Sequence, residues 1–183
     1  MEIVAKQGKL KDSTIVTIRP MVKGDADALV KFFKSLPDDL LLFVRHNVRD
    51  ESVVRSWAEN LDYKRVFPLL ATVENKIVAD VTLHRVPFGW KRHLGKVRIV
   101  VSPEYQKLGL ATLMLNEIVD LAAEFGLEKL WAEVPLDSRG AIAAFRNAGF
   151  SCKAVIEDLV KDKEGRNADI LIMICDVAAH YDQ

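Results

Sequence analysis

Three places in this 183-residue chain combine residue types and spacing that suit chemistry. The first is the run Gln106-Lys107-Leu108-Gly109-Leu110-Ala111-Thr112. Gly109 and Ala111 keep the backbone bare, and a helical apolar stripe starts directly after them. Free amide N–H groups and the positive end of a helix dipole meet at such a point, which suits a phosphate or pyrophosphate. The run is not a Walker A loop, because Gly-x-x-x-x-Gly-Lys-Ser/Thr is absent. Nor is it a dinucleotide fingerprint, because one of the three glycines is present. An ordinary strand-to-helix turn is the plainer reading of the same residues. The second place is Glu133, in Leu130-Trp131-Ala132-Glu133-Val134, whose carboxylate reads as a proton acceptor or as a solvent-facing strand residue. The third is His84, which ends an apolar strand pattern beside Arg85 and reads as a weaker base. His46, His93 and His180 read as surface residues, and no group of His, Cys, Asp and Glu has metal-ligand spacing.

The elements that must position these groups follow from periodicity. Lys96 to Val101 is rich in β-branched residues and stops at Ser102-Pro103, because proline cannot continue a central strand. Ala111, Leu115, Ile118, Ala122 and Phe125 then share one helical face, and Gly126 follows as the stop. The first run therefore lies between a strand and a helix. Upstream, Ile15 to Arg19 reads as a strand ended by Pro20. Gly24-Asp25 opens a helix carrying Leu29, Phe32, Phe33 and Leu36 on one face. Asp38-Asp39 begins a short helix through Leu42-Phe43. Asp50 caps a further helix, in which Val54, Trp57, Ala58 and Leu61 form an apolar stripe. Phe67 to Val73 and Lys76 to His84 read as a hairpin around Glu74-Asn75, and Val86 to Leu94 as a loop. Leu127 to Pro135 is a strand, Ser138 to Ala148 a helix, and Phe150 to Val160 with Ala168 to Asp176 a last hairpin. The order β-α-α-β-β-β-α-β-α-β-β predicts an α/β (α+β) fold, a mixed, mostly antiparallel sheet of about seven strands with helices on both faces.

The length suits one domain over residues 1–183, with residues 1–12 polar and expected to be loosely held. Lys plus Arg equals Asp plus Glu, 26 each, so the formal net charge is zero and nucleic acid is not expected as a main partner. The start, Met-Glu-Ile-Val-Ala-Lys, lacks the apolar core of a signal peptide. No apolar run approaches the roughly 20 residues of a spanning helix. Cys152 and Cys175 are too few for a disulfide framework and read as small core residues of strands. A cytoplasmic protein with no membrane partner is the expectation.

The full string Val-x-Pro-Glu-Tyr-Gln-x-x-Gly-Leu-Ala-Thr resembles the coenzyme A pyrophosphate loop of the GNAT N-acetyltransferases, written Gln/Arg-x-x-Gly-x-Gly/Ala after a strand. Gln106, Gly109 and Ala111 match it. Ala141-Ile142-Ala143-Ala144-Phe145-Arg146-Asn147-Ala148-Gly149-Phe150 resembles that family's helix Ala-Ile-x-Leu-Tyr-x-x-x-Gly-Phe. The order of elements is similar too, so the resemblance covers most of the chain from Ile15 to about Ile174.

The resemblance implies an acetyl-CoA-dependent N-acetyltransferase that moves an acetyl group to an amine by direct transfer. Ile99, Val100 and Val101 would offer backbone groups to the pantetheine arm, and one N–H would hold the thioester oxygen. Lys107, Leu108, Gly109, Leu110, Ala111 and Thr112 would hold the pyrophosphate, with Gln106 shaping the loop. Ser138 stands where the family often has an asparagine that contacts coenzyme A. An amine attacks only when neutral, yet a free lysine amine has a pKa of about 10.4, so a base is required. Glu133 matches the catalytic glutamate of ribosomal-protein N-terminal acetyltransferases, and His84 is the alternative. The glutamate that protein-lysine acetyltransferases place on the central strand reads here as Lys96. Phe145 occupies the usual place of a tyrosine acid and has no proton to give. A protein lysine or N-terminal amine is the expected acceptor. A small-molecule amine and a catalytically weak coenzyme A-binding sensor or scaffold are the rivals. No metal is implied, and the chain is expected to be a monomer or homodimer.

Overall fold

A computed structural model of the chain describes residues 5–41, 44, 46–162 and 164–180. Eight strands form one sheet in the order β1-β2-β3-β4-β5-β6-β8-β7. They are β1 (Lys6–Lys9), β2 (Ile15–Pro20), β3 (Val66–Val73), β4 (Lys76–Arg85), β5 (Leu94–Val101), β6 (Lys129–Pro135), β7 (Ser151–Lys161) and β8 (Asn167–Asp176). The helices are α1 (Ala26–Ser35), α2 (Asp38–Leu41), α3 (Glu51–Glu59), α4 (Leu110–Glu124) and α5 (Arg139–Asn147). The expected mixed, mostly antiparallel sheet is present, with one strand more than expected. The addition is β1, which pairs antiparallel with β2 through Lys6↔Ile18 to Lys9↔Ile15. Lys-Gln-Gly-Lys carries no apolar alternation, so its strand identity comes from backbone pairing, with Gly8 close against Leu113 of α4. The N-terminal segment is thus held from Lys6 onward. The expected extension of α2 to Leu42-Phe43 lies outside the described residues.

Period-two alternation gives the sheet its two faces. Val81 and Leu83 of β4 and Val97 of β5 join Leu110, Met114, Leu115 and Ile118 of α4 in the larger core. On the other face Leu70 and Ile77 pack with Leu29, Phe33, Val54 and Ala58 of α1 and α3. α3 starts as its sequence demands: Asp50 accepts a hydrogen bond from the Ser52 N–H at 2.9 Å. Arg19 closes the start of the first helical segment with two bonds to the buried Asp25 carboxylate, at 2.7 and 2.8 Å. Burial works against ionisation of Asp25, but Arg19 and the Val22 N–H hold its pKa below the usual carboxylate value. Cys175 is buried in β8, whereas Cys152 of β7 is exposed rather than in the core, because β7 is a sheet edge.

The one parallel pairing, β5 with β6, runs only through Leu94↔Lys129, Gly95↔Leu130 and Lys96↔Trp131. Beyond it β5 stays paired with β4 to Val101, while β6 stays paired with β8 to Pro135. The sheet therefore splits along its middle. At the root of the split Gly95 lets the strands close, since an added Cβ would meet Leu83 Cδ1 at 2.6 Å and Leu130 Cδ2 at 2.7 Å.

Candidate active site

The split exposes one edge of β5. The Ser102 N–H donates to the Val78 carbonyl at 2.9 Å, which fixes the phase of the β4–β5 ladder. Alternation then turns the N–H and C=O of Val100 toward β4, and those of Ile99 and Val101 toward the open side. Gln106 Nε2 donates to the Val101 carbonyl at 3.1 Å, so this side chain ties the following loop to the end of the strand.

That loop makes a single turn at Pro103–Tyr105 and passes through Lys107 and Gly109 at φ of 62° and 90°. The left-handed conformation at Gly109 explains the glycine, which is the N-cap residue of α4. The first amides of a 15-residue helix follow, at Leu110, Ala111 and Thr112, with no acidic residue in the first turn. Leu108 accepts a hydrogen bond from the Lys11 N–H at 3.1 Å, and the Lys11 stem lies over Gly109. Lys11 was absent from the residues read as functional, because sequence distance concealed its approach. The loop and open strand edge form a continuous polar-backbone track, and their residues fit a pantetheine arm ending in a pyrophosphate. Ser138 sits at the N-terminus of α5 without spending its hydroxyl on the cap.

A pocket of about 640 Å³ opens on the α1–α3 side of β3, β4 and β5 and reaches Ile99 and Val100. Phe33 and Trp57 wall it, edge to face at 5.5 Å between ring centroids. Asp80, Thr82 and His84 of β4 line its floor beside Arg98 of β5. His84 Nε2 lies 3.0 Å from Thr82 Oγ1. Asp80 is 7% exposed, its Oδ1 has no hydrogen-bond partner, and burial pushes its pKa up to about 7. Asp80 escaped sequence reading. The one available signal was the alternation Asp80, Thr82, His84 on a strand, which by itself describes a solvated face.

The other sequence candidates are placed differently. Glu133 of β6 lies across the split, outside the pocket lining, with its side chain 43% exposed. Lys96 Nζ lies 2.7 Å from its carboxylate and 4.3 Å from the Trp131 ring centroid. Phe145 is 4% exposed on α5, edge to face with Phe150 at 5.0 Å, and belongs to the core beneath the sheet. His46 is exposed, as expected, and at the same time lines the pocket against Trp57. Among the described residues no group of His, Cys, Asp and Glu could hold a metal ion, and no helix is long and apolar enough to cross a membrane.

Comparisons with known proteins agree with this architecture. Ribosomal protein bS18-alanine N-acetyltransferase of Escherichia coli (strain K12) is 32% identical over 75 residues, 41% of this chain and 50% of that protein. The chain thus spans about half the length of the curated relatives it matches. The GNAT domain of S. lividans PAT superposes with a TM-score of 0.78 at 24% identity, over 94% of this chain and 96% of that one. The yncA protein of Salmonella typhimurium, solved with its cofactor acetyl-CoA, superposes with a TM-score of 0.75 at 18% identity, over 88% and 94%. At those identities the likeness is one of fold. Residues 32–150, more than half of the chain, match the Acetyltransferase (GNAT) family. By that match, and by the split sheet with its glycine-started helix, the chain belongs to the GNAT family.

Proposed function

We propose that this protein is an N-acetyltransferase that moves an acetyl group from acetyl-CoA to an amine. The observation that carries the reading is the open β5 edge running through Gln106 into the bare N-terminus of α4. Acetyl-CoA supplies an activated acyl thioester. The amides of Leu110 to Thr112 hold its pyrophosphate, with Lys107 and Leu108 shaping the loop around it. The Ile99 and Val101 N–H groups face the pantetheine arm and are placed to stabilise a developing oxyanion, while Val100 contributes its side chain to the pocket. The Ser138 hydroxyl, at the start of α5, is a further candidate contact to coenzyme A. The acceptor enters from the pocket between α1, α3 and the sheet, which His84 lines, while Glu133 stands across the split. The bS18-alanine relative supports a protein amine as acceptor. Two unpaired cysteines suit a reducing cytoplasm.

Thermal stabilisation by acetyl-CoA, with thiol release in the presence of an alanine-N-terminal peptide, a lysine peptide and a polyamine, tests the reading. Acetyl-CoA should raise the melting temperature of the wild type. Gly109→Glu, which sets a charge and a strained side chain beside the phosphate, should abolish that rise, and Lys107→Glu, which adds no new backbone strain, should reduce it. Equal stabilisation of all three folded proteins would remove the pyrophosphate site.

A further inference from the structure

We propose that Asp80 seats the ammonium of the acceptor and takes its proton, across no more than one water molecule. The inference rests on the acetyl-transfer reading and names a group which that reading leaves open.

Four observations carry it. Asp80 lies at the floor of the pocket that reaches Ile99 and Val100, on the strand adjoining β5 and directly opposite Val100. Neighbouring strands are about 4.8 Å apart, so Asp80 stands one strand removed from the open edge. Its Oδ1 is buried and has no hydrogen-bond partner, a costly state for a carboxylate unless something binds there. Trp57, backed edge to face by the buried Phe33, presents aromatic surface suited to the stem and charge of an alkylammonium. The alternatives are committed elsewhere: Glu133 is paired with Lys96, and His84 is bonded to Thr82.

The step balances simply. The amine nitrogen forms a bond to the thioester carbonyl carbon, and the C–S bond breaks. The thiolate of coenzyme A leaves and is protonated by solvent. The ammonium sheds one proton to Asp80 before the attack, and Asp80 passes it to solvent; the nitrogen sheds a second to solvent as the amide forms, so that with the thiolate protonated one proton is released overall. Asp80 accepts a proton only when ionised, and burial holds it protonated below about pH 7. The groups that share the pocket are Arg98 from β5, His84 from β4, His46 before α3, and Asp62, Arg65 and Arg85 at the mouth. α1 contributes only the apolar Phe33.

The test pairs a binding measurement with a kinetic one, using propylammonium as the probe. Propylammonium should stabilise the wild type more at pH 8 than at pH 6 and should not stabilise Asp80→Asn. With acetyl-CoA and propylamine or an alanine-N-terminal peptide, Asp80→Asn should lower kcat/KM by at least about 100-fold. The variant should also lose the acidic limb of the pH profile near 7 while keeping the thermal shift given by acetyl-CoA. His84→Gln should keep that limb. Stabilisation by propylammonium that is absent from wild type, or unchanged in Asp80→Asn, overturns the proposal. So does an acidic limb that survives Asp80→Asn and vanishes in His84→Gln or Glu133→Gln. Loss of the acetyl-CoA shift in wild type would instead overturn the acetyl-transfer reading itself.

Discussion

Replacing Asp80 by asparagine should change how the fold's stability depends on pH. In the folded protein burial raises the carboxyl from an ordinary 3.8 to about 7. Below pH 3.8 the group is protonated whether the chain is folded or not, and it makes no difference. Between that value and about 7 the unfolded chain has released the proton while the folded chain retains it. The folded state then binds more protons, so stability falls as pH rises. Above about 7 the full penalty remains. Roughly three pH units at about 1.4 kcal/mol each give a loss of about 4 kcal/mol, of which about 3 kcal/mol falls above pH 5. Asparagine has the same shape and does not titrate. Urea unfolding of both proteins at pH 5 and pH 8.5 isolates the difference, because all other titrating groups are shared. Wild type should lose about 3 kcal/mol relative to Asp80→Asn between the two conditions. A gap that stays constant within about 0.5 kcal/mol, the ordinary scatter of additive effects, would refute the reasoning: the carboxyl would then be hydrated or paired in solution.

Two other substitutions probe the frame around the site. Phe145→Tyr puts a hydroxyl into the core at a 4%-exposed position, so it should cost roughly 1–3 kcal/mol in urea unfolding without raising turnover; a faster enzyme of unchanged stability would mean that the ring edge reaches the leaving thiolate. Gly95→Val should destabilise by about 1–3 kcal/mol by overpacking against Leu83 and Leu130 at the root of the split, and should weaken acetyl-CoA binding as the strands shift; unchanged unfolding and an unchanged acetyl-CoA thermal shift would show that the close approach there is dispensable.

Much of this architecture was legible because local rules were enough. The β-branched run before Ser102-Pro103 had to be a strand, and the 3.6-residue stripe after Ala111 had to be a helix. The glycine between them sits at φ of 90° because its local chain direction requires it. The short strand Lys6–Lys9 was not legible, since neither β-branching nor alternation marks it and its order comes from pairing with β2. Glu133 illustrates a different limit. Its place in a strand could be read, but its pairing with Lys96, 37 residues away in sequence, depends on which strands become neighbours.

The sequence by itself determined the main helices and strands and the glycine-started turn between β5 and α4, because each rests on contacts within a few residues. Tertiary structure decided what the loop faces and which carboxylate is desolvated. The split between β5 and β6 arises because the two strands pair over three residues and then follow different partners, a fact of sheet order rather than of either strand. The polar alternation of Asp80, Thr82 and His84 would face water on a bare sheet. α1 and α3 fold over that face, and only then does Asp80 become a buried carboxyl at the floor of a pocket. Desolvation depends on everything packed around a group, and so it cannot be read from the group's neighbours in the chain.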